Sequence, residues 1–150
     1  MKTFPHGFKP FYTPIRMIKL GIFGGGYFTE ATEADFEGLT PALERLARTQ
    51  TNGLKPKLNR YGVKAGLHYD EWMANGWIFP EDPLGWFHWY CRFYSGRRHE
   101  RDAHQVRRHQ RYNERWGLRA RSQAQRGYIS PVIMQGLLQW SCDPEGTDRG

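Results

Sequence analysis

The 150-residue sequence contains little cysteine and no long apolar run. Its two cysteines, Cys91 and Cys142, cannot form the disulfide framework of a small secreted domain. No segment approaches the roughly 18 consecutive apolar residues that a membrane-spanning helix needs. No stretch near the amino terminus resembles a signal peptide. We therefore expect an intracellular protein, in the cytoplasm or another internal compartment, with no membrane partner.

Acidic residues are scarce relative to basic ones. The chain has 22 Lys and Arg against 15 Asp and Glu, which gives a net charge of +7 and a pI of about 9.6. Such a balance favours an anionic partner, most commonly nucleic acid, DNA or RNA. The length suffices for a hydrophobic core. We expect one globular domain over residues 15–142, an extended arm of Pro and aromatic residues over 1–14, and a flexible tail over 143–150.

Aromatic residues make up 15% of the chain, and six of them fall between Trp86 and Tyr94. At about 100° per residue they share one arc of a helix, while the other residues of this stretch fall on the opposite side. Asp82 stands at a position suited to an N-cap and Pro83 at a position suited to the first helical residue. The pattern predicts a central core helix that begins at Pro83.

The segment 77–98 resembles the signature of a family of small proteins of uncharacterised function from bacteria, phages and some microbial eukaryotes. It runs from Trp77 to Arg98 and is similar to the family pattern G-W-I-x-P-x-D-P-x-G-W-F-x-W-Y-C-R-Y-Y-x-G-R-R. The upstream segment 20–27 resembles the start of the same family, so the resemblance covers roughly residues 15–115. It implies one compact domain and no particular activity.

Local signals predict a mainly α-helical fold with a short β-strand or hairpin near the amino end. Apolar alternation over residues 15–23 indicates a strand, and the glycines at 24–26 indicate a turn. Thr32 and Asp35 form a capping box, whereas Thr40-Pro41 and Ser130-Pro131 each open a helix. Residues 58–61 and 67–75 are typical of a helix-turn-helix, which is either a DNA-reading unit or ordinary helix packing.

The segment 96–126 is rich in arginine and predicts a basic helix. Several Arg and His positions recur at spacings of three and four, which places them on one stripe of about 80°. The opposite side, with Ala103, Val106, Gln110 and Asn113, is predicted to pack on the domain. The predicted nucleic-acid-binding residues are Arg97, Arg98, Arg101, His104, Arg108, Arg111 and Arg115.

Two further arrangements bear on chemistry. Arg92, Arg97 and Arg98, together with His88, are candidates for a phosphate clamp, because paired guanidinium groups bind phosphate bidentately. Cys91 and His88 have the spacing of a nucleophile–base pair, although Cys91 borders bulky aromatic residues. The five-residue spacing of His99, His104 and His109 scatters them around a helix, so we expect no metal site, and nothing predicts a cofactor.

The leading functional hypothesis is nucleic-acid binding without obvious sequence readout, carried by the arginine-rich helix on an aromatic scaffold. Two alternatives remain open. One is a small enzyme that acts on a nucleotide or nucleic acid, with Arg97, Arg98 and His88 in the site and unknown catalytic residues. The other is a basic structural subunit of a larger assembly, with the amino-terminal arm contacting a protein partner.

Overall fold

The computed structural model describes residues 3–51, 53 and 79–144. Within these residues the chain forms five α-helices and two short 3-10 helices, and it forms no β-strand. The α-helices are α1 (Pro14–Lys19), α2 (Pro41–Arg48), α3 (Trp86–Tyr94), α4 (Asp102–Gln125) and α5 (Pro131–Gln139). The 3-10 helices are Pro5–Gly7 and Glu33–Phe36. The prediction of a mainly helical protein is confirmed, while the predicted helix-turn-helix lies outside the described residues.

The predicted strand near the amino end is wrong, because helix α1 occupies most of that stretch. The Thr13 hydroxyl accepts a hydrogen bond from the Arg16 backbone N–H at 3.1 Å, and Pro14 stands at the first helical position. Met17 and Ile18 are buried on the inner side of this helix. A short run of apolar residues fits both the helix period and the strand period. The N-cap residue Thr13 in front of the run was therefore the more informative signal.

Helix α3 is the central core helix, as predicted, but it is buried on all sides rather than on one arc. Trp89 and Phe93 on the aromatic side have no exposed surface, and neither do His88 and Cys91 on the other side. Arg92, expected on a polar face, is 7% exposed. The helix therefore passes through the protein with polar groups that need partners inside the core.

The beginning of α3 differs from the prediction. Two turns precede the helix, closed by hydrogen bonds from Asp82 N to Phe79 O and from Gly85 N to Asp82 O. Gly85, at φ 109°, is the N-cap residue, a backbone conformation that glycine adopts without steric cost. The Tyr27 hydroxyl accepts from the His88 backbone N–H at 3.1 Å and donates to Leu84 O at 2.6 Å. A distant tyrosine therefore does the capping assigned to Asp82.

The other elements cover α3. Phe8, which follows the first 3-10 helix, is 3% exposed and contacts the rings of Trp86, Trp89 and Phe93. Part of the amino-terminal segment therefore docks on the core. Backbone N–H groups of Phe11 and Tyr12 donate to Ser141, so the two ends of the described chain lie together.

The local helix signals elsewhere are confirmed. Thr32 and Asp35 form the capping box, at the start of the 3-10 helix Glu33–Phe36. Helices α2 and α5 begin at Pro41 and Pro131, as predicted. Asp143, assigned to the flexible tail, is 4% exposed and therefore belongs to the packed part of the protein.

A candidate nucleic-acid interface on helix α4

Helix α4 packs on the core through a face that differs from the predicted one. Its buried residues are Asp102, Gln105, Val106, His109, Gly117 and Ala120. Trp89 Nε1 donates to the Asp102 carboxylate at 2.8 Å, and the His109 ring stacks on Trp86 with centroids 5.5 Å apart. Of the residues predicted to pack, only Val106 is buried, whereas Ala103 and Gln110 are exposed. The helix is thus rotated about its axis relative to the prediction, which changes the arginines that face outward.

Arg97 and Arg98 precede α4 and bind the protein itself. Both Nη atoms of Arg97 donate to the Asp82 carboxylate at 2.7 Å. Arg98 donates to Phe93 O at 2.8 Å, and its guanidinium lies 4.2 Å from the centroid of the Phe93 ring. These two residues therefore do not continue the stripe along the helix.

Arg101 and Arg108 are also engaged within the protein. Arg101 forms an ion pair with Glu81, and its guanidinium lies 4.1 Å from the centroid of the Phe79 ring. Arg108 donates to Gln105 Oε1 at 2.9 Å, and burial lowers the pKa of Arg108 to about 10. Both side chains lie along the border between the packed and the exposed side of α4.

The predicted phosphate clamp is built into the core instead of facing solvent. Arg92 donates from Nε to Glu37 O, from Nη2 to Ala34 O, and from Nη1 to Glu81 O and the Asp82 carboxylate. Protein oxygens thus bind all three of its nitrogens, in the places that phosphate oxygens would take. The clamp has no support in this geometry, because a ligand would have to displace these buried bonds.

His88 and Cys91 are equally inaccessible. His88 Nε2 lies 2.8 Å from Asp35 O, and Nδ1 lies 3.4 Å from the Leu84 backbone N–H. These partners define the neutral tautomer, in which Nε2–H donates and Nδ1 accepts. Burial, and then the charge of Arg92, lowers the pKa of His88 to about 4. Burial raises the pKa of the Cys91 thiol, so this pair lacks the thiolate that a nucleophile requires.

Four arginines stand on the exposed side of α4 at a regular spacing of four residues. They are Arg107, Arg111, Arg115 and Arg119, and we refer to them as the arginine ridge. An α-helix rises about 1.5 Å per residue, so the arginine ridge extends about 18 Å along the axis. Between positions 103 and 125 the sequence contains six arginines and one glutamate, Glu114, so the local field is strongly positive.

Trp116 lies between the last two arginines of the ridge. The Arg115 and Arg119 guanidiniums lie 5.1 and 5.8 Å from the centroid of its ring. Trp116 is partly exposed and also packs against Tyr112, whose ring stacks on Trp140 at 4.9 Å. A partly exposed ring beside two guanidinium groups suits both the bases and the phosphates of a nucleic acid.

Neither the known protein families nor the curated proteins nor the solved structures contain a match to this chain. The family resemblance of segment 77–98 therefore stays a prediction. In residues 3–51, 53 and 79–144, no cluster of ligating side chains could hold a metal ion. Within the same residues, no helix has the length and apolar content needed to cross a membrane.

Of the predicted nucleic-acid-binding residues, the structure places Arg111, Arg115 and the neighbouring His104 on the exposed side of α4. Arg107 and Arg119 were missing from the predicted set. The signal that could have found them is their spacing, because each lies four residues from Arg111 or Arg115 and therefore close to it on the helix surface.

Proposed function

We propose that this protein binds nucleic acid through the arginine ridge, reading the phosphate backbone rather than the base sequence. The observation that carries this proposal is that all four arginines of the ridge are exposed and that none forms an ion pair with a carboxylate in the described part of the chain. Four other arginines of the described residues, Arg48, Arg92, Arg97 and Arg101, each contact an Asp or Glu.

The dimensions of the ridge suit a phosphate backbone. Duplex DNA advances about 3.4 Å per nucleotide of each strand, so about 18 Å of helix spans roughly five phosphates. Guanidinium groups bind phosphate oxygens bidentately and keep their charge at any physiological pH. Backbone contacts of this kind position a protein on nucleic acid and carry no sequence information.

The scaffold beneath the ridge supports the same proposal. Asp102 and His109 anchor the opposite side of α4 against Trp89 and Trp86. The first half of the helix is therefore held rigidly, which reduces the ordering cost of placing the arginines along a charged ligand.

The test is a salt titration of binding by fluorescence anisotropy on single-stranded DNA, duplex DNA and RNA oligonucleotides. The variant carries glutamine at all four ridge positions, a residue that preserves helix propensity. Each lost phosphate contact flattens the slope of log affinity against log salt by about 0.9 on a duplex and about 0.7 on a single strand. Four contacts thus predict a change of about 3.6 on a duplex and about 2.8 on a single strand.

The matched control removes four positive charges elsewhere on the surface. It replaces exposed residues outside α4 with glutamine, namely Lys9, Arg16, Lys19 and Arg45. The net charge changes by the same amount in both variants. The slope of log affinity against log salt should therefore flatten more in the ridge variant than in the control only if the ridge itself contacts the nucleic acid. Equal slopes for the parent and the ridge variant would refute the proposal.

A basic structural subunit of a larger assembly is the second candidate. Of the four large apolar side chains that are exposed in the described residues, three lie near each other in the sequence: Leu118 at 60%, Tyr128 at 67% and Val132 at 50%. They lie on α4, after its end and on α5, next to the basic helix. Exposed apolar patches that are contiguous and rimmed by polar residues are typical of a protein contact. The size of the complex isolated with the tagged protein from its host cells, with and without Leu118→Ser, would test this candidate.

A further inference from the structure

A groove lies between the amino-terminal 3-10 helix and the first half of α4. Its volume is about 500 Å³, and it is open to solvent, because five of the six residues that line it are exposed. The residues that line it are His6, Ala103, His104, Val106, Arg107 and Gln110. We call it the His6 groove. Three of its six lining residues are basic, one carries an amide and none is acidic.

The chemistry of the His6 groove favours an anion. Arg107 supplies a permanent positive charge, His6 and His104 supply imidazole N–H donors, and Gln110 supplies an amide donor. Val106, 1% exposed, forms an apolar floor. These donors come from two separate elements, the 3-10 helix Pro5–Gly7 and α4, and line the same groove.

The backbone at His6 adds a second observation. His6 adopts φ 64° and ψ 16°, the left-handed region that side chains other than glycine rarely occupy. Such conformations cost energy and concentrate at ligand sites, where they direct a side chain to a particular place. Here the strained residue is one of the groove-lining side chains.

We propose that the His6 groove binds a phosphate monoester of about nucleotide size. The monoester is either a free nucleotide or the phosphorylated end of a strand that lies on the arginine ridge. The second source rests on the proposed function, because Arg107 belongs both to the ridge and to the groove. A terminal phosphate carries more charge than an internal diester and offers three oxygens to the donors that line the groove.

The first experiment titrates inorganic phosphate, and then adenosine monophosphate, into the full chain and follows the histidine ring resonances by NMR. The resonances of His6 and His104 should shift, whereas buried His88 serves as an internal reference. Burial and the charges of Arg108, Arg101 and Arg111 lower the pKa of His104. A bound anion should raise this pKa, because it favours the protonated ring. Unchanged His6 and His104 resonances would overturn the proposal.

The decisive variant is His6→Gly. Glycine keeps the left-handed backbone without strain, so the variant should melt no lower than the parent. It should weaken phosphate binding by about tenfold, the usual effect of losing a hydrogen bond to a charged group. His6→Asn, in which asparagine also tolerates this backbone, is the second variant. Arg16→Gln removes a positive charge outside the groove and serves as the control for charge. Equal phosphate affinity in the parent and His6→Gly would overturn the proposal.

Oligonucleotides distinguish the two sources of the phosphate. If the ligand is a strand end, 5′- or 3′-phosphorylated single strands should bind the parent more tightly than unphosphorylated ones, and His6→Gly should abolish that difference. If the ligand is a free nucleotide, adenosine monophosphate should bind with no such preference among strands. If the ridge variant keeps the salt slope of the parent while phosphate still shifts the His6 and His104 resonances, the proposed function is wrong and the groove proposal stands. The two proposals can therefore fail separately.

Discussion

Replacing Asp82 with asparagine should destabilise the fold by about 3–5 kcal/mol, the usual cost of breaking a buried ion pair from one side. Asp82 is 1% exposed, and its carboxylate binds Arg92 at 3.1 Å and both Nη atoms of Arg97 at 2.7 Å. Asparagine keeps the volume and one acceptor oxygen but loses the charge. Two guanidiniums would then face each other with no other carboxylate pairing them within the described residues.

The effect of this substitution should extend beyond the ion pair. Arg92 also donates to the backbone carbonyls of Ala34, Glu37 and Glu81, which ties the second 3-10 helix and the turn before α3 to the core helix. A displaced Arg92 would leave these carbonyls without a donor, and buried acceptors without partners are costly.

Glu33→Gln is the matched control, since Glu33 forms the same kind of bidentate pair at the surface. Its carboxylate binds Arg48 at 2.9 and 3.0 Å, but the two side chains are 80% and 43% exposed. An exposed pair contributes only about 0–1 kcal/mol, and salt screens it further. The two substitutions share their chemistry and differ in burial.

Urea unfolding gives the free energy of unfolding of both variants and the parent, and thermal unfolding gives their Tm, each followed by tryptophan fluorescence and circular dichroism. For a domain of this size about 3–5 kcal/mol corresponds to a fall in Tm of roughly 6–20 °C. Glu33→Gln should melt within a few degrees of the parent. If Asp82→Asn is no more destabilising than Glu33→Gln, the Asp82 cluster is solvated and the reasoning from burial is wrong.

Two further predictions concern the core and the α4–α5 contact. Because His88 has a pKa of about 4 in the folded protein and about 6.5 in an unfolded chain, stability should fall by up to about 3 kcal/mol as pH drops through this window. A ring titration by NMR with a midpoint near 6.5 would contradict this burial. A Cβ on Gly136 would collide with the Tyr112 hydroxyl, so Gly136→Ala should cost about 1–3 kcal/mol. Adding Tyr112→Phe should recover most of that loss. If the unfolding free energies of the two single substitutions, measured in urea, simply add up in the double variant, the clash is excluded.

The helix signals that depend on near neighbours could be predicted from the sequence. The capping box of Thr32 and Asp35 and the starts of α2 and α5 use residues within one turn of each other, so local chemistry decides them. The aromatic content of α3 likewise required burial wherever the chain placed it. The same local logic failed for α1, because a short apolar run matches both the strand and the helix period.

The role of Asp82 and the outward side of α4 depended on the tertiary structure. A carboxylate before a helix can cap backbone N–H groups or pair with a guanidinium, and the choice depends on which partner the fold brings near. Here Arg97 reaches Asp82, and Tyr27, 61 positions from His88, takes over the capping. In α4 the composition already predicted an excess of positive charge. Which arginines face solvent was decided by the contacts of Asp102 and His109 with α3, because a rotation about the helix axis exchanges exposed residues for buried ones.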